Sequence, residues 1–81
     1  MIGTYNIQDI HFEQNLICLK IDGNSFKISL DKVSEKLTNA DNTQRNLFKV
    51  SPSGYGIHWP LIDEDLSVEF LLKAAENNSP N

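Results

Sequence analysis

Apolar residues along this chain recur first with period two and later with helical spacing. Ile17, Leu19 and Ile21 fall on one side of a strand over residues 16–21, and Phe26, Ile28 and Leu30 on one side of a second over residues 25–30. Between them, Asp22-Gly23-Asn24 supplies residues that tolerate positive φ, so the two runs read as a hairpin. A loop on Asp22-Gly23 and a loop on Gly23-Asn24 keep the same side chains facing inward. A less regular strand over residues 5–12 and a Gln14-Asn15 turn precede this hairpin. Val33 and Leu37, four apart, make the thin apolar stripe of a short helix over residues 31–39, with Asp31 as its cap and Asn39 as its stop. Residues 41–46 carry no apolar side chain and read as a loop or a single helical turn.

The second half repeats the hairpin logic and then changes period. Residues 48–51 and 55–59 read as fourth and fifth strands joined by a Pro52-Ser53-Gly54 turn, with Gly54 and Gly56 punctuating the approach. Tyr55, Ile57 and Trp59 share one face, and Pro60, which has no N–H to donate, ends the strand. Asp63-Glu64-Asp65 reads as a turn, and Ser67 as the cap of a helix that runs to about Glu76. At about 100° per residue from Leu66, the apolar positions Val68, Phe70, Leu71, Leu72, Ala74 and Ala75 spread over roughly 240° of arc. So wide an arc fits a helix wedged between the sheet and the tail or the first helix; in a sharper reading Val68 and Leu72 lie outside the sheet contact and meet a second chain. The expected core is Ile17, Leu19, Ile21, Phe26, Ile28, Leu30, Val33, Leu37, Ile57, Trp59, Leu66, Phe70 and Leu71. The order βββαββα implies an α+β fold, a mainly antiparallel sheet of about five strands with two helices on one face. Residues 1–76 form one domain in this reading, and 77–81 a disordered tail.

Composition narrows the function classes. Of 81 residues, 40% are hydrophobic and 22% charged, the balance of an ordinary globular chain. The net charge of −4 and a single arginine, Arg45, argue against a direct nucleic-acid face. No run approaches the roughly 20 apolar residues of a membrane span, and the start lacks a basic, apolar leader. The expected location is the cytoplasm.

Catalytic constellations are sparse. His58 points away from the Ile57/Trp59 face and, with Asp63 and Asp65, could make a metal or acid/base site; a solvent-facing histidine beside an acidic turn is the plainer reading. His11, between Ile10 and Phe12, reads as a surface strand residue. Cys18 lies on the strand face opposite Leu19 and reads as a small half-buried filler, with only Lys20 in register to activate it. One cysteine forms no internal disulfide, and no zinc set is expected from it and the two histidines. Gly54-x-Gly56 precedes a strand and not a helix, so it is no phosphate loop. No catalytic residue, metal or cofactor is expected. Trp59, Pro60, Gly54, Gly56 and Ser67 are expected to be structural, and Tyr55, His58, Asp63, Glu64, Val68 and Leu72 to be the partner-contact candidates.

One stretch carries a family likeness. Thr43-Gln-Arg45, then Phe48-Lys-Val-Ser-Pro-Ser-Gly-Tyr-Gly-Ile-His-Trp-Pro60, then Asp63-Glu-Asp-Leu-Ser-Val-Glu69 with Leu71-Leu72 resembles the bacterial domain-of-unknown-function 2442 family. That family's pattern is a Gly-Ile-x-Trp-Pro strand followed by an acidic Asp-Leu-Ser helix start. Phe70 departs from the small residue often found at its position. The resemblance implies an α+β fold, no established enzymatic activity, and gene arrangements that look like toxin–antitoxin pairs. The expected function is a non-enzymatic protein-interaction module, antitoxin-like or accessory to a small co-encoded protein, with a weak homodimer through the last helix as a further expectation. Two alternatives stand beside it: a ligand-binding, metal-binding or enzymatic domain centred on His58 and the acidic turn, and a regulatory domain acting with a separate DNA-binding partner.

Overall fold

Strand alternation and tight turns build two hairpin-based layers in the computed structural model, which describes residues 4–77. Strands β1 (Ile7–Glu13), β2 (Leu16–Ile21) and β3 (Asn24–Ser29) pair antiparallel in that order. A 3-10 turn (Leu30–Lys32) and short helices α1 (Glu35–Thr38) and α2 (Asn42–Asn46) lead to a second antiparallel sheet. Its strands are β4 (Lys49–Val50), β5 (Gly56–Trp59) and β6 (Glu64–Ser67), and helix α3 (Val68–Asn77) follows directly. The α+β class and antiparallel pairing hold. Among the described residues the strands form two three-stranded sheets and not one sheet of about five. The expected tail lies outside the described residues, except Asn77, which ends α3.

The first hairpin closes on Asp22-Gly23, with Ile21 opposite Asn24 and φ of 51° and 86° at the two turn residues. Positive φ at both positions is the requirement of a type I′ turn, which matches the natural strand twist. The inward row Ile17, Leu19, Ile21 and Ile28 joins Leu30, Leu37, Ile57, Trp59, Leu66, Val68 and Leu71 in one cluster. Phe26 and Val33 are half-buried at its margin.

Three expectations change. The helix of residues 31–39 breaks in two, because buried Ser34 caps α1 through a hydrogen bond from Leu37 N–H to its hydroxyl. The acidic turn is a strand: the chain reverses over residues 60–63, with Asp63 at φ 52°, and β6 pairs Leu66 with Ile57 and Ser67 with Gly56. That moves the phase of the last helix. Leu66 belongs to the sheet, so helical counting begins at Val68; Val68 and Leu71 are then fully buried, while Phe70 is 45% exposed. Val68 is therefore not a surface residue, and Leu72 is half-buried against the core.

Trp59 is wholly buried where the two halves meet. Its indole N–H donates to the Arg45 carbonyl at 2.9 Å, and its ring lies near Phe12 and Phe48, with centroids 6.5 and 6.2 Å away. The Arg45 guanidinium donates in turn to the carbonyls of Leu37, Thr38 and Gln14 and sits 5.7 Å from the Phe12 ring centre. Trp59→Ala is expected to cost about 3–5 kcal/mol and Arg45→Lys about 1–3 kcal/mol, because an ammonium lacks the planar fork that reaches three carbonyls. Urea unfolding of the two variants checks both values.

Gly54 is the second tight point. It has φ 70°, and a Cβ there would lie 1.9 Å from the Tyr5 carbonyl oxygen, which is backbone and has little room to yield. Gly23 also has positive φ but open space around it. Gly23→Ala is expected to cost about 1–2 kcal/mol from φ strain alone, and Gly54→Ala clearly more, by at least about 2 kcal/mol on top. Equal losses in thermal melts would show that the Tyr5 contact gives way freely.

Candidate functional site

The cleft of the second sheet grows from the turn that Gly54 permits. Residues 51–56 fold back so that Ser51 N–H donates to the Gly56 carbonyl and Gly54 N–H to the Ser51 carbonyl. The Ser51 hydroxyl accepts from the backbone N–H groups of Tyr55 and Gly56, at 2.9 and 3.1 Å, and so fixes the loop from inside. Tyr5 N–H donates to the Ser53 carbonyl, tying the N-terminal segment to the same loop. Outside this frame lies an open, mainly apolar cleft of about 630 Å³, walled by residues 49–53 and floored by β5 and β6. Val50 and Tyr55 reach it with 37% and 55% of their surface exposed.

Register places the polar groups. Lys49, His58 and Asp65 lie in one cross-strand row, while Trp59 and Glu64 pair in the next, whose side chains turn inward. His58 Nδ1 donates to Asp65 Oδ1 at 2.6 Å within the cleft. Asp63 contributes its carbonyl to the Lys36 ammonium at the turn, 2.9 Å away. Glu64 is half-buried and accepts the hydroxyl proton of buried Ser34, joining β6 to α1. The sequence-based set thus divides: Tyr55, His58 and Asp65 meet at the cleft, Asp63 and Glu64 fasten the turn and α1, and Val68 and Leu72 serve the core. No group of three ligating atoms among the described residues includes His58. Ser67 caps α3 through a hydrogen bond from Phe70 N–H, Pro60 follows the strand end, and Gly56 floors the cleft beside Leu66.

Sequence and fold now agree on a family. Residues 7–77 match the family described as protein of unknown function (DUF2442). The chain belongs to that family. A crystal structure of a protein of unknown function from Rhodospirillum rubrum, at 2.75 Å resolution, is similar to it with a TM-score of 0.69, 20% identity and 88% of each chain covered. At that identity the likeness concerns the fold. No curated protein matches the chain. Among the described residues of this DUF2442 chain, no helix is long and apolar enough to cross a membrane.

The first sheet carries the remaining candidates. His11 is exposed, as expected of a surface strand residue, but it is not alone: hydrogen bonds to Asp9 and then Glu13 raise its pKa above the ordinary histidine value. The bond to His11 is likewise the largest cause that lowers the Glu13 carboxyl. Cys18 is 3% exposed, more deeply buried than a half-buried filler, and burial pushes its thiol pKa up. A protonated buried thiol is a poor nucleophile. The capping box of α2, with Asp41 and Gln44 bonding each other's backbone N–H, went unread in residues 41–46 although Asp-x-x-Gln is its signature.

Glu64 and Asp65 offer a direct comparison of the two faces of β6. Glu64→Ala removes the acceptor of a buried hydroxyl and is expected to cost about 1–2 kcal/mol. Asp65→Ala breaks an exposed pair and is expected to change stability by under about 0.5 kcal/mol. Chemical denaturation of the two variants side by side checks the ordering; a reversed order would show that β6 presents the other face to the core.

Proposed function

We propose that this protein is a non-enzymatic protein-interaction module whose cleft on β4, β5 and β6 receives an apolar segment of a small co-encoded partner. The observation that carries the reading is the cleft itself: open, mainly apolar, and edged by exposed Val50 and by Tyr55, a residue type that anchors interfaces. Its hydroxyls support a structural use, since those of Ser51 and Ser67 accept backbone N–H groups. Asp65, with 75% of its side chain exposed, and a net charge of −4 favour a partner whose segment carries basic flanks. An antitoxin-like or accessory role fits this surface and the gene arrangements of the family.

The experiment is co-expression with the product of the adjacent reading frame, followed by calorimetric titration of the purified pair. Tyr55→Ser is expected to weaken binding by about tenfold or more while melting like the wild type. Phe70→Ser, at an exposed position of α3 outside the cleft lining, is expected to leave affinity unchanged. Binding that ignores Tyr55→Ser and Val50→Ser overturns the cleft; binding lost only in Phe70→Ser moves the interface to α3.

A further inference from the structure

The outward face of the first sheet gathers ligating atoms around a thiol. Alternation along β1 puts Asp9, His11 and Glu13 on one side, and register sets His11 opposite Cys18 and Cys18 opposite Lys27. Cys18 faces away from the Ile17/Leu19 core row and is nevertheless buried. His11 donates from Nδ1 to Asp9 Oδ2 at 2.7 Å, and its Nε2 lies 3.2 Å from Glu13 Oε2. Lys27 donates to the other Glu13 oxygen, Oε1, at 3.3 Å. One ligating atom each from His11, Glu13 and Cys18 all fall within 4.8 Å of one another.

We propose that His11 Nε2, Glu13 Oε2 and Cys18 Sγ form a binding site for a zinc-class divalent cation, with Asp9 as the positioning residue for the imidazole. A tetrahedral zinc ion with bonds of about 2.0–2.3 Å needs ligand–ligand edges of about 3.3–3.6 Å. The nitrogen–oxygen edge is already 3.2 Å, and side-chain adjustments of about 1 Å bring the sulfur in. Asp9 on Nδ1 selects the tautomer that leaves the Nε2 lone pair for the metal, the arrangement common around zinc-bound histidines. Sulfur, imidazole and a single carboxylate suit zinc or cobalt over magnesium or calcium. On binding, the thiol proton passes to solvent, as does the Nε2 proton of the imidazolium form, and thiolate and carboxylate together balance the doubly charged ion. The three protein ligands leave a fourth position for water. This site lies on the first sheet and does not depend on the cleft reading.

Titration of chelator-stripped, tag-free protein with Co(II) tests the site. The expected result is saturable 1:1 binding at tens of micromolar protein, with a sulfur-to-cobalt charge-transfer band and the intense visible bands of four-coordinate cobalt, both reversed by zinc. Cys18→Ser is expected to lose the charge-transfer band, and His11→Gln to weaken binding by about tenfold or more. Asp9→Asn is expected to weaken it by about 10–100-fold with the spectrum retained. Circular dichroism and thermal melts establish that each variant is folded. If Cys18→Ser fails to fold, exposed His11→Gln carries the test. Absence of Co(II) and Zn(II) binding in the wild type overturns the site, as does a charge-transfer band that survives Cys18→Ser or binding that His11→Gln leaves unweakened.

Discussion

Arg45 converts three loose chain ends into one structure. Helix α1 has only four residues, too few to be stable alone, and of its last two carbonyls that of Leu37 takes the Ala40 N–H at 3.2 Å. The guanidinium supplies donors to Leu37 and Thr38 there and to Gln14 in the β1–β2 turn, so one side chain fixes the second sheet's approach to the first. The Arg45 backbone carbonyl then takes the Trp59 indole N–H. Polar satisfaction of Trp59 and placement of the guanidinium are thus a single constraint. Without the carbonyl, a wholly buried indole would carry an unpaired donor; without the fork, the Thr38 and Gln14 carbonyls would need other partners.

The position of Trp59 fixes the rest of the second half. Its strand must end at Pro60, the chain must turn within residues 60–63, and the return strand must place Leu66 beside Ile57. Strand β6 then runs straight into α3, with the Ser67 hydroxyl as the cap at the junction. Because strand and helix share one core, the helix begins with Val68 inward and Phe70 outward. Gly54 closes the other end of the same layer, where the backbone of Tyr5 comes too near for any side chain.

Periodicity made the hairpin legible because one face is apolar at every second residue, and the core rows of β2 and β3 follow directly from it. It failed at Glu64-Asp-Leu-Ser67 because charged residues of low strand propensity looked like turn chemistry, although Leu66 alone marked the inward side. The error then spread into α3, since helical angles counted from a strand residue point the wrong way. In the sequence Arg45 stands out only as the single arginine and as one residue of the family pattern. Its structural role depends on three carbonyls distant in sequence, and no local pattern announces such a contact.

The outward faces were less legible for a different reason. Burial fixes which parity of a strand points inward, but the turn fixes which outward residues meet. Closing the first hairpin on Asp22-Gly23 sets Cys18 beside Lys27; closing it on Gly23-Asn24 would keep every core residue inward and set Cys18 beside Ser29. The hydrophobic pattern is indifferent between the two, and what changes is the β3 neighbour of Cys18; its pairing with His11 is set by the separate Gln14-Asn15 turn. His58 shows the same rule on the second sheet, where a reversal over residues 60–63 brings Asp65 and not Asp63 opposite the imidazole. Turn selection decides the chemistry of this protein's surfaces, while the core it encloses would be nearly the same either way.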